Sequence, residues 1–270
     1  MKYSIVVADG TFSTNTAALL GTFDSVAGRA ADIGFQAIQL TVNKPSEVNI
    51  KELQTAMARH SIAVSSIATG RGYTVDGLCL SSGNYENRMA AVHRMKEHMD
   101  LGAEIGNAKA VIGAIRGWAK DAGGREAYIK QLRESLLELV EYGEKKNIEI
   151  VFESNDHFET DLLLNIEDTS AFIREIGSKK LKLQLDTMHI YNENDDFYPA
   201  TLRNGDLIGQ VDISGPDRCV PCDNFDYALL LKALKQVNYQ EYLVFEHVAT
   251  PPENAAKAGF DYIQSLLAKL

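Results

Sequence analysis

Four acidic residues, Glu153, Asp186, Asp212 and Glu246, stand 33, 26 and 34 positions apart. Each interval is about the length of one strand-helix repeat, so each acid belongs to a successive strand. Three of them end apolar runs, in Val151-Phe-Glu153, Leu183-Gln-Leu-Asp186 and Leu243-Val-Phe-Glu246. A strand buried on both faces rarely closes on a carboxylate for packing reasons. A single Asp in such a place could cap the following helix, but Glu is a poor N-cap, which leaves Glu153 and Glu246 without that explanation. Carboxylates gathered in one mouth repel each other and need a cation to stay ionised. The spacing therefore points to a divalent metal held by Glu153, Asp186, Glu246 and, on the intervening strand, Asp212.

The elements that would carry these acids repeat along the chain. Short β-branched runs alternate with longer amphipathic stretches, and eight strands are predicted: Tyr3 to Ala8, Ala37 to Thr41, Ala63 to Ala68, Ala110 to Ala114, Ile148 to Glu153, Leu181 to Asp186, Leu207 to Ile213 and Tyr242 to Glu246. The longest helix is predicted over Tyr128 to Lys146, with Leu132, Leu136, Leu139 and Val140 on one stripe. Eight parallel strands suit a closed (β/α)₈ TIM barrel, an α/β fold forming one domain over residues 1–270. In such barrels the active site lies at the carboxyl ends of the strands. There Arg116 ends strand four, placed either to meet a substrate carboxylate or phosphate or to make a structural salt bridge.

The formal charge of −10 repels phosphodiester backbones and weighs against a nucleic-acid partner. No segment approaches a membrane span, and the apolar stretch from Tyr3 to Ala8 is too brief for a signal-peptide core, so a cytoplasmic protein is expected. Cys79, Cys219 and Cys222 form no secreted-type disulfide framework. Cys219-Val-Pro-Cys222 spells C-x-x-C, but without a second pair of ligands the bland reading is the stronger one. Trp118 and Tyr73 fall in loops where aromatic faces flank sugars or simply anchor the chain. His93 and His98 lie far from the strand ends and are expected to be structural or solvated. His247 should point away from Glu246, because successive strand residues alternate.

Taken in order, several segments resemble the xylose-isomerase-like barrels, and most closely the ketose 3-epimerase group of the D-tagatose 3-epimerase and 5-keto-L-gluconate epimerase type. They are Ala68-Thr-Gly70, Asp76-Gly-Leu78, Leu80-Ser-Ser82, Val111-Ile-Gly113, Ile115-Arg-Gly117, Glu153, Phe158-Glu-Thr-Asp161, Asp186-Thr-Met-His189, Asp212 to Arg218, Pro221 and Glu246. The resemblance implies that Glu153, Asp186 and Glu246 are metal ligands, and that Glu153 and Glu246 are also the acid/base pair. It implies that Glu159, His189 and Arg218 bind substrate oxygens near the metal, although Arg218 read alone could be a surface loop residue. It further implies a histidine ligand on strand seven, where this chain has Asp212.

An Asp oxygen lies as many bonds from its Cα as the Nδ1 of His, so Asp212 can serve as a ligand in about the same place. Four carboxylates favour a hard ion, Mn²⁺ above all with Mg²⁺ as the alternative, over Zn²⁺. The expected function is a metal-dependent sugar epimerase or isomerase that abstracts a proton beside the ketone of a ketose or keto-sugar acid, through an enediolate. Substrate contacts are expected from Glu159, His189, Arg218, Arg116 and Trp118, and the resemblance allows a homo-oligomer. The rivals are a C-glycoside-cleaving lyase on the same scaffold and a catalytically silent sugar-binding barrel, because fold alone does not select the reaction.

Overall fold

The computed structural model describes residues 1–8, 18–248 and 252–270. Eight strands run parallel: β1 Lys2–Ala8, β2 Ala37–Thr41, β3 Ala63–Ala68, β4 Lys109–Ile112, β5 Ile150–Glu153, β6 Leu181–Asp186, β7 Ile208–Ile213 and β8 Tyr242–Phe245. Each pairs with the next, and β1 pairs back to β8 through Lys2↔Tyr242 to Ile5↔Phe245, which closes the barrel. The two-residue strand Leu19–Leu20 extends the sheet beside Val7 and Ala8. The expected (β/α)₈ architecture is the observed one.

Where strand limits differ from expectation, the backbone supplies the reason. Strand β5 starts at Ile150 because the preceding helix, Arg125–Lys146, ends on Asn147 in the left-handed region (φ 57°), and the Ile148 amide still bonds the Gly143 carbonyl at 2.9 Å. Strand β4 stops at Ile112 because a 3₁₀ turn, Ala114–Arg116, follows Gly113. Glu246 lies one residue beyond β8, yet its amide still bonds the Ile213 carbonyl at 3.0 Å.

Two environments follow from alternation along the strands. Outward side chains such as Ile5, Ile38, Leu40, Ile112, Phe152, Leu183 and Leu185 join the helices in one continuous apolar core. Inside, a small apolar cluster of Val6, Ala8 and Val244 sits beside buried Ser4, Gln39, Ser66, Gln184 and Gln210. The interior is thus polar on the way up to the carboxyl ends. No described helix is long and apolar enough to cross a membrane.

Candidate active site

Strand register brings the acids together. Asp186 stands opposite Asp212 on β6 and β7, Gln184 stands opposite Gln210 one layer below, and Glu153 is level with Gln184. Glu153, Asp186, Asp212 and Glu246 each offer an oxygen within 4.8 Å of all the others, and all four are buried or nearly so. Gly113 makes room for this arrangement. A Cβ there would lie 2.5 Å from Glu153 Oε2, so any larger residue would displace that carboxylate.

Burial, followed by the charges of Asp186 and Glu159 and opposed by His189 and Arg218, raises the Glu153 pKa to about 7. Burial likewise lifts Glu246 to about 8 against the pull of Arg218. Asp212 is pushed well above the carboxylate range by burial and then by Glu246, Asp186 and Glu153. Asp186 moves the other way: burial opposes its charge, but Arg218 and His189 outweigh it. Arg218 Nη1 lies 2.5 Å from Asp186 Oδ2 and 3.1 Å from Glu246 Oε2, supplying one positive charge to four acids. An all-oxygen donor set of that spread fits a hard divalent cation, which would take the place of the protons the buried acids otherwise keep.

The chain reaches this geometry with a strained loop. Asp217 and Arg218 both have positive φ (55° and 56°), a conformation a non-glycine residue keeps only when its surroundings hold it there. The hold is visible in the Val248 amide, which donates to the Arg218 carbonyl at 2.7 Å. It is visible also at Gly215, where a Cβ would meet Asn224 Nδ2 at 2.3 Å. Cys219 and Cys222, in the same loop, are free and exposed, and Asn224 Nδ2 donates to Cys219 Sγ at 3.1 Å.

His189 is fully enclosed, with Nε2 lying 3.8 Å from Glu153 Oε1 and 3.9 Å from Asp186 Oδ2. Its Nδ1 meets Asp156 Oδ2 at 2.8 Å. Burial works against a charged ring, but Asp186, Asp156 and Glu153 outweigh it and push the His189 pKa up to about 9. Asp156 is the residue that sequence reasoning missed. It also accepts from Asn192 at 2.6 Å and from the Phe158 amide at 3.0 Å, and so fixes which way His189 faces. The only trace in the sequence is its place three residues after Glu153.

Above the acids opens a cavity of about 520 Å³ lined by Thr41, Arg71, Tyr73, Trp118, Phe158 and Glu159 among others. That size suits a small molecule. Phe158, 69% exposed, was not singled out from the sequence, since nothing in its surroundings distinguishes it from a loop anchor. Tyr73 donates through its hydroxyl to Asp121 at 2.8 Å, and Glu159 accepts from Asn155 at 3.0 Å.

Arg116 is placed differently from the expectation of a substrate contact. Fully buried, it donates to the carbonyls of Glu153 (2.6 Å), Leu162 (2.9 Å) and Leu163 (3.2 Å), with its guanidinium over the Phe152 ring. Among the described residues it is not part of the cavity lining and has no salt-bridge partner; it supports the backbone of Glu153 from behind. His98 bonds the carbonyls of Arg94 (2.8 Å) and Val42 (3.1 Å), His93 is exposed, and His247 is buried against Phe245.

The family of xylose isomerase-like TIM barrels matches residues 27–266. The chain belongs to this family. The L-ribulose 3-epimerase of Mesorhizobium japonicum is 27% identical over 231 residues, covering 84% of this chain and 76% of that protein. A solved L-ribulose 3-epimerase superposes with a TM-score of 0.83 at 20% identity, over 100% of this chain and 95% of the other. A 3-keto-D-glucoside 4-epimerase from E. coli superposes with a TM-score of 0.80 at 20% identity, over 98% and 100%. At that identity the superpositions establish a shared fold.

Proposed function

We propose that the protein is an enzyme acting on carbohydrates, a metal-dependent epimerase that moves a proton at the carbon beside the ketone of a ketose or keto-sugar acid. The observation that carries this reading is the pair Glu153 and Glu246. Two buried glutamates, from strands three apart around the barrel, face one cavity with pKa values drawn up to about 7 and about 8. In the metal-free protein such a pair keeps a proton near neutrality; a bound cation would draw both values down, so what carries over to the loaded protein is the placement of two carboxylates on one cavity. One member can then take a proton from substrate while the other returns one to the opposite face.

The remaining residues would serve that exchange. His189, favoured in its charged form by Asp186, then Asp156 and Glu153, and held at Nδ1 by Asp156, can turn Nε2–H, now 3.5 Å from Arg218 Nη2, to a substrate oxygen as negative charge develops there. Arg218 steadies Asp186 and Glu246, and Trp118 and Phe158 offer apolar faces on which a sugar ring can lie. A divalent ion, Mn²⁺ being the favoured one, held by Glu153, Asp186, Asp212 and Glu246 would supply positive charge to the ketone and its neighbouring hydroxyl. The relatives reported as ketose 3-epimerases support this reaction class.

Mass spectrometry of solvent deuterium tests the reading. Incubated with Mn²⁺ in D₂O, the protein should place deuterium at the carbon beside the ketone in at least one member of a panel of ketoses and keto-sugar acids. Metal-loaded, folded protein that exchanges no carbon-bound proton in any member contradicts it.

A further inference from the structure

Beneath the acids lies a chain of side chains that the proposed reaction does not use. Gln184 Nε2 donates to Glu153 Oε1 at 2.8 Å and to Asp212 Oδ2 at 3.2 Å. Gln210 Nε2 donates to the other oxygen, Asp212 Oδ1, at 2.8 Å and to Gln39 Oε1 at 2.8 Å. Gln39 Oε1 also accepts from Ser66 Oγ at 2.6 Å, and the line continues through Ser65 to Ser4 on β1. Gln39, Gln184 and Gln210 are each no more than 2% exposed.

Three amides in a barrel interior are costly unless each is used, since an unsatisfied buried polar group costs about 1–3 kcal/mol. Here the amides are used in one direction. A carboxylate only accepts, and each Asp212 oxygen receives one N–H from the layer below, which leaves its remaining lone pairs to face the cavity. A neutral imidazole ligand would ask the reverse of its surroundings, since its second nitrogen carries an N–H that needs an acceptor. As the two amides are turned, position 212 receives two N–H donors, an arrangement that suits an acid.

Resting on the reading of the four acids as metal ligands, we infer that Gln184 and Gln210 are positioning residues that pin both oxygens of Asp212, making the strand-seven acid a built ligand rather than the remnant of a lost one. Gln184 further ties Asp212 to Glu153, so that one amide sets the spacing of a metal ligand and a member of the acid/base pair. Gln39 acts at one remove, by orienting Gln210.

Mn²⁺ binding, measured by calorimetry and by the electron paramagnetic resonance spectrum of the bound ion, separates this role from a general polar filling of the barrel. Gln210→Met and Gln184→Met, which keep side-chain length, should each raise the Mn²⁺ Kd by about 10-fold or more and change the spectrum, as loss of an outer partner of a ligand does. Gln39→Met should weaken binding less than either. Metal-free unfolding midpoints show whether each variant folds, and should Gln210→Met not fold, Gln184→Met decides. Folded Gln210→Met and Gln184→Met with the wild-type Kd and spectrum overturn the inference alone. So does a loss in Gln39→Met equal to that in Gln210→Met. Wild-type protein that binds no Mn²⁺ overturns the underlying reading as well, and is seen before any variant is made.

Discussion

The turns that follow β4 and β7 each place one arginine beside the acidic set, Arg116 fully buried and Arg218 at the cavity wall, and the two do opposite work. Arg116 spends its donors on the neutral carbonyls of Glu153, Leu162 and Leu163. Arg218 aims its donors at the ionisable oxygens of Asp186 and Glu246. A guanidinium against carbonyls chiefly fixes where backbone runs. A guanidinium against buried carboxylates sets which of them holds a proton. In the sequence, both are an arginine a few residues past an apolar run. What separates framework from chemistry is the charge of the acceptor.

The strongest way to break this contrast is to remove the acid/base pair, one member of which, Glu246, Arg218 contacts. Glu153→Gln and Glu246→Gln should each lower turnover by about 10²–10⁴-fold while the protein stays folded, as loss of an acid or base does. Unchanged turnover in either would show that the pair is not the proton-handling one. Steady-state rates on whichever substrate exchanges deuterium provide the measurement.

Next come the arginines themselves. Arg116→Met leaves three carbonyls without their donor and should cost about 3 kcal/mol or more of stability. In a chain of this size that is a fall of roughly 6–12 °C in the unfolding midpoint. Arg218→Met should lower turnover at least about tenfold by letting the pKa values of Asp186 and Glu246 rise. With Mn²⁺ bound its unfolding midpoint should move by less than that of Arg116→Met. Equal thermal losses in the two variants would collapse the distinction.

A pH dependence also sets the acidic region apart. Glu153 and Glu246, raised from 4.5 to about 7 and about 8, keep protons in the folded chain that the unfolded chain has released. The native state then binds more protons, so stability falls as pH rises. His189, raised from 6.5 to about 9, adds a loss in the same direction over its own range. The metal-free protein should therefore lose stability from about pH 6.5 to pH 9, while below pH 6.5 the buried His98 and His247, whose values are depressed by burial, oppose the trend because there the unfolded chain binds more protons at them. Bound Mn²⁺ should flatten the upper part of that curve, and its binding near pH 6.5 should release protons, visible as a buffer-dependent heat. A metal-free midpoint that climbs from pH 6.5 to pH 8 would contradict the raised values.

The barrel and its four acids were legible because both follow from periodicity. A repeat of strand and helix fixes which residues close strands, and Glu153, Asp186 and Glu246 stand at the ends of apolar runs. Asp156 was not legible, since its partner His189 is 33 positions away and nothing local marks the pairing. Gln184 and Gln210 read as polar breaks in apolar strands, and only register shows them opposite one another beneath Asp212. Arg116 looked like a mouth residue because β4 was expected to run to Ala114. The 3₁₀ turn that replaces its last residues carries the side chain behind Glu153 instead.

The central claim is that Glu153, Asp186, Asp212 and Glu246 act together on one hard divalent ion. Titration of metal-stripped protein with Mn²⁺, followed by calorimetry and metal analysis, tests it most directly. The account predicts one ion per chain in the wild type, a Kd weakened on the order of 100-fold in Asp212→Ala, and Mn²⁺ retained in preference to Zn²⁺. Folded wild-type protein that takes up no Mn²⁺, or an Asp212→Ala variant that binds it as tightly as the wild type, would contradict it.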